Sequence, residues 1–121
     1  MDFETSRHAD VCIATAAGRV DHTTANAFQE ALLKTLDESG LSTLVLDLSG
    51  VEYMSSVGLR ALMVASKTAK PAGIAIVVAS LTGTLAEIFQ ISRFDMVFKT
   101  YASVREAIAE ASPEALASFE S

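Results

Sequence analysis

A chain of 121 residues has room for one hydrophobic core and is too short for two. Half of its residues are hydrophobic and a fifth are charged, which is a globular composition and not a disordered one. A net charge of −6, with lysines and arginines scattered along the chain, argues against nucleic acid as a partner.

No apolar run approaches the roughly 20 residues needed to cross a bilayer, so direct membrane insertion is not expected. The acidic start Met1-Asp-Phe-Glu4 lacks the apolar stretch of a secretory leader, which makes the cytoplasm the expected location. The single cysteine, Cys12, rules out an internal disulfide and lies between Val11 and Ile13, as a small buried hydrophobe would. His8 and His22 have no ligand-like spacing with a carboxylate or thiol and read as surface or edge residues. Neither a metal nor a cofactor is expected.

In chain order, Phe3–His8 and Val11–Ala16 are short apolar or alternating runs split by Ala9-Asp10, the pattern of a hairpin. Gly18–Thr24 reads as a polar loop. Phe28, Ala31, Leu32, Thr35 and Leu36 recur at helical spacing and mark one apolar face, which Gly40 closes. Thr43–Leu48, nearly continuous Leu and Val, predicts a strand covered on both faces. A polar turn is expected next, and then a helix from Ser56 to about Lys70 with Leu59, Leu62, Met63 and Ser66 on one side. Lys70-Pro71 stops that helix. Gly73–Ala79 predicts another buried strand, and Leu81–Thr84 a turn into a short helix carrying Leu85, Ile88 and Phe89. Met96–Thr100 suggests an edge strand. Ser103 and Glu106 have the spacing of a capping box, opening a helix with Val104, Ala107, Ile108 and Ala111. Ser112-Pro113 closes it, and the remainder reads as a short acidic tail or one more helical turn. Strands alternating with helices imply parallel βαβ connections, hence an α/β class with a mixed sheet.

Enzymatic motifs are absent: no Gly-x-x-x-x-Gly-Lys loop, no Gly-x-Ser-x-Gly elbow and no paired histidine ligands occur. Asp47 stands where α/β enzymes often hold a metal or nucleophile, but without a second carboxylate it is read as closing the Ser49-Gly50 turn. The Leu81–Thr84 turn could cradle a phosphate, although one glycine in such a turn is common. Ser55 and Ser56 stand out instead, two adjacent hydroxyls at the start of a predicted helix. The plain reading of one of them is an N-cap. A helix needs only one cap, however, and Val51, Tyr53, Met54 and Val57 place apolar groups on a turn that should be solvated, as on a docking surface.

The segment Asp47-Leu-Ser-Gly-Val-Glu-Tyr-Met-Ser-Ser-Val-Gly-Leu59 resembles the signature of STAS domains, in particular bacterial anti-sigma factor antagonists. Gly18-Arg-Val-Asp21 is similar to the family's loop before the first helix. Ile91-Ser-Arg-Phe-Asp-Met-Val-Phe98 is similar to its stretch before the last one, with Arg93-Phe94 in place of the more usual Gly-Leu. The resemblance implies a single STAS-type domain over residues 1–112, followed by a short C-terminal tail at 113–121. Its sheet would be mixed, of four to five strands, with about four helices packed mainly on one face.

The resemblance also implies a function, that of an anti-sigma factor antagonist and not an enzyme. Ser56 falls on the family's regulatory serine, with Ser55 as a second possible acceptor where the family often has Asp. Unphosphorylated, such a protein binds an anti-sigma factor that is also an ATP-dependent serine kinase, and a sigma factor is released. A serine phosphatase reverses the mark. The expected docking face comprises Gly18, Arg19, Asp21 and Thr23 with Tyr53, Met54, Ser55, Ser56, Val57 and Gly58. Met54 and Val57 are its apolar anchors, and Arg19 and Asp21 supply charge. The alternative within the family is a non-switching STAS subunit of a membrane transporter or stress-signalling complex.

Overall fold

The computed structural model describes residues 1–121 as a five-stranded sheet in the order β1-β2-β3-β4-β5, flanked by five α-helices. Strands β1 (Asp2–His8) and β2 (Val11–Val20) form the expected antiparallel hairpin. Strands β3 (Thr43–Met54), β4 (Ala75–Ala79) and β5 (Lys99–Tyr101) then add in parallel. The connections are α1 (Ala25–Leu36), α2 (Ser56–Ala69) and α3 (Gly83–Ile91), followed by a 3-10 turn at Phe94–Met96. Each crossover advances one strand in the same direction with the right-handed sense that twisted sheets impose, so all three helices lie on one face. Phe28, Leu32, Leu62, Leu85 and Phe89 meet Ala14, Leu44, Leu46 and Val78 there in the larger core.

The opposite face is not left bare. Helices α4 (Val104–Ala111) and α5 (Pro113–Glu120) cover Val11, Ile13, Val45 and Val77 with Ala107, Ile108 and Ala115. Residues 113–120, read from the sequence as tail or one helical turn, are therefore a helix of 8 residues with Pro113 in its first turn. Proline suits that place because its missing N–H would be unbonded anyway. The His8 ring joins the packing, its Nδ1 3.1 Å from Ser118 Oγ and its ring edge-on to Phe119.

Two boundaries differ from the sequence reading in ways that matter for the site. The expected loop at Gly18–Thr24 begins as strand, since Gly18, Arg19 and Val20 pair with Val51, Tyr53 and Met54. The expected turn after Leu48 is likewise strand, because β3 runs on to Met54 through two bulges. Between the Thr15–Asp47 and Ala17–Gly50 pairs, β3 spends an extra residue, and it spends another at Glu52. Asp47 Oδ1 accepts the Ser49 N–H at 3.0 Å, so the carboxylate closes the backbone of the first bulge. Close approach of the two strands also explains Gly50, where a Cβ would lie 2.9 Å from that of Ala17.

Candidate functional site: the start of helix α2

The carboxyl ends of β2 and β3 carry the site. Ser55 donates its backbone N–H to Val20 O at 2.8 Å, which ties the start of α2 to the end of β2. Helix α2 then crosses very close to the sheet at Gly58. A Cβ there would lie 2.6 Å from Met54 Cγ and 2.8 Å from Val20 Cγ1. The buried stripe of α2 is accordingly Gly58, Ala61, Leu62, Ala65 and Ala69. The predicted face of Leu59, Leu62, Met63 and Ser66 is rotated, since small residues let the helix sit down on α1 and the sheet.

The two serines have opposite fates. Ser56 is the first residue of α2 and is exposed to solvent. Ser55 holds the N-cap position with extended backbone (φ −78°, ψ 175°), yet its hydroxyl caps nothing. Its Oγ is buried and has no hydrogen-bond partner. The first turn of α2 contains no acidic residue and receives no side-chain cap, so the amides and dipole of a 14-residue helix are open beside the Ser56 hydroxyl.

Next to this start, residues 19–24 are locked. Asp21 Oδ1 accepts from the Thr23 N–H at 2.9 Å and from the Thr23 hydroxyl at 2.6 Å. Those bonds, the hydroxyl's first, hold the Asp21 carboxyl below its ordinary pKa. Thr24 Oγ1 donates to Arg19 O at 2.8 Å and accepts from Asp21 N at 3.0 Å. The Arg19 guanidinium carbon lies 4.6 Å from the centre of the half-buried Tyr53 ring, in cation–π contact. Arg19, Thr23, Ser56 and Val57 are exposed and Gly18, Asp21, Tyr53 and Ser55 half-buried.

Met54 and Gly58 do not fit the docking role expected of them. Met54 is 2% exposed and forms the floor under α2, because β3 continues as a strand and turns that side chain inward. Gly58 is buried against it. Val51, also expected on an apolar turn, is buried as well. Val57 remains an exposed apolar group, at 40%.

The Leu81–Thr84 turn opens α3, and the cleft beside it is lined by Glu87 and Asp95 with no lysine or arginine. Of that turn only Leu81 reaches the cleft, and the two carboxylates make the cleft itself unfavourable for phosphate. No group of three or more His, Cys, Asp or Glu side chains converges anywhere in the chain. No helix is long and apolar enough to cross a membrane.

Comparison with known proteins agrees with this geometry. The family model of the STAS domain matches residues 2–107. The chain is 34% identical over 104 residues to BtrV of Bordetella bronchiseptica, whose name places it among anti-sigma factor antagonists. That match covers 86% of this chain and 88% of BtrV. The chain therefore belongs to the STAS domain family, and within it to the anti-sigma factor antagonists. Among solved structures, an anti-sigma factor antagonist from Mycobacterium paratuberculosis superposes with a TM-score of 0.77 at 26% identity, over 90% of this chain and 92% of that one. The murine anion transporter Slc26a9 contains a similar fold, with a TM-score of 0.75 at 25% identity, over 88% of this chain and 18% of the transporter.

Proposed function

We propose that this chain is a phosphorylation-gated binding module that acts by partner choice, not by catalysis. Unphosphorylated at Ser56, it binds an anti-sigma factor that is also a serine kinase, in the cytoplasm, and a sigma factor is thereby freed. Phosphorylation of Ser56 ends that binding, and a serine phosphatase restores it. The observation that carries this reading is the exposed Ser56 hydroxyl at an uncapped helix start, beside a Ser55 hydroxyl that is buried. A kinase can reach the first and not the second.

The same geometry supports a switch that leaves the fold intact. A phosphate on Ser56 meets free amides and the positive end of the helix dipole, so it is tolerated locally. At an interface formed by Val57, Arg19 over Tyr53 and the Asp21–Thr23 turn, it introduces roughly two negative charges that must be desolvated. A penalty of about 3–4 kcal/mol, within the range for truncated or unpaired interface charges, corresponds to a few hundred-fold in affinity.

The test is titration calorimetry with the purified anti-sigma factor kinase. Ser56→Ala should bind as the unmodified protein does, and Ser56→Asp should bind markedly more weakly, both melting close to the parent chain. Equal binding by the two variants would remove the gate and leave a constitutive STAS subunit.

A further inference from the structure

The other end of α2 carries a feature that the switch does not use. Between the last turns of α2, strand β4 and residues 97–99 lies a groove of about 230 Å³. Ile74, Val77 and Phe98 contribute to its walls, as does Val97, which is 46% exposed. Its charged residues are Lys70 and Lys99, and no carboxylate lines it. Both ion pairs of the molecule, Arg7–Glu38 and Arg105–Glu120, lie elsewhere, so these two ammonium groups are unpaired. Two free lysines on an apolar slot are unexpected in a chain of net charge −6.

The neighbouring ridge adds to the pattern. Six large hydrophobic residues of the chain are exposed, and three of them, Ile91 (83%), Met96 (80%) and Val97, fall within seven positions. They flank the turn held by Arg93, whose φ of 61° puts a long cationic side chain in a backbone state that favours glycine. Strain and exposed apolar surface therefore coincide on this segment, which sets the Asp95 carboxylate beside the Arg93 cation, so the positive charge comes from Lys70 and Lys99 of the groove itself.

We infer that this groove is a second docking surface, for an acidic amphipathic segment of another protein. Apolar side chains of the segment would enter the slot, and its carboxylates would pair with Lys70 and Lys99. Charge complementarity selects an acidic partner. A narrow concave slot suits inserted side chains better than the flat face of a lipid bilayer. The 14 residues of α2 separate the groove from Ser56 by about 20 Å, so both surfaces can be occupied together.

The experiment is a titration of the ¹⁵N-labelled full chain with a synthetic amphipathic peptide bearing leucines on one face and glutamates on the other. A lysine-for-glutamate version of the peptide and phosphatidylserine vesicles serve as comparisons. The acidic peptide should move the amide signals of Ser66, Lys70, Ile76, Val97 and Lys99 while leaving Ser56 in place, and the basic peptide should move none of them. Lys70→Glu with Lys99→Glu should weaken binding by about tenfold or more, and Lys70→Gln with Lys99→Gln by less. Ser56→Asp should bind the acidic peptide as the parent does, which separates this result from the fate of the Ser56 gate. Unmoved groove amides, equal binding by the charge-reversed variant, or a response to vesicles alone would overturn the inference.

Discussion

Ser112, at the start of α5, turns its hydroxyl onto the Ala115 N–H at 3.2 Å, whereas Ser55, at the start of α2, buries its hydroxyl and leaves the helix uncapped. Both residues have extended backbone of the kind an N-cap requires. Ser103 behaves like Ser112, accepting from the Glu106 N–H at 3.1 Å. The difference is one of place in the fold. Helices α4 and α5 carry the smaller second core and have closed first turns, whereas α3, only 9 residues long, is also uncapped at Thr82, so length is not the reason. Helix α2 is fixed by the tight Gly58 crossing and by the Ser55–Val20 backbone bond, so its start can stay open. An open start is what makes an added charge tolerable there.

The comparison breaks first if the crossing is not what holds α2. Gly58→Ala places a methyl group into buried Met54 and the stiff side chain of Val20, and it should destabilise the fold by about 1–3 kcal/mol in denaturant melts. A neutral or stabilising result would mean that α2 can lift away and that its position at Ser56 is not fixed. The caps sharpen the contrast next. Ser112→Ala should lose about 1 kcal/mol, the usual worth of a capping hydroxyl, while Ser55→Ala should lose nothing and can gain, because it removes a buried hydroxyl without a partner. Equal losses in thermal melts would show that the two helix starts are alike after all. At the ridge a modest gain is expected: Arg93→Gly should stabilise by about 0.5–1 kcal/mol in thermal melts by relieving the left-handed backbone.

Much of this arrangement was legible in the residues. The Leu and Val run of Thr43–Leu48 announced a doubly covered strand, and the spacing of Phe28, Leu32 and Leu36 announced α1, because in both places burial and periodicity agree. Arg93 was legible too, as an arginine where the family's pattern has glycine, and the positive φ shows why glycine suits that place. The second half of β3 was hidden because Ser49, Gly50 and Glu52 carry turn chemistry while forming a bulged strand. Missing that strand put Met54 on the surface, when the pleat in fact sends it beneath α2. The true face of α2 left a signal in Gly58, Ala61, Ala65 and Ala69, small residues three or four apart, which mark close packing more surely than the larger Leu59 and Met63 do. Helix α5 was read as a tail because Pro113 was taken only as the end of α4, although proline equally suits the first turn of a new helix. That Ser55 would bury its hydroxyl could not be read from sequence, since side-chain direction at a cap depends on what packs around it.

Phosphorylation of Ser56 is tested most directly by site-mapped intact mass of the protein taken from its native cells, across growth conditions. A single added phosphate, confined to Ser56, should appear in at least one condition. A phosphate on Ser55, or none in any condition, would contradict the Ser56 gate.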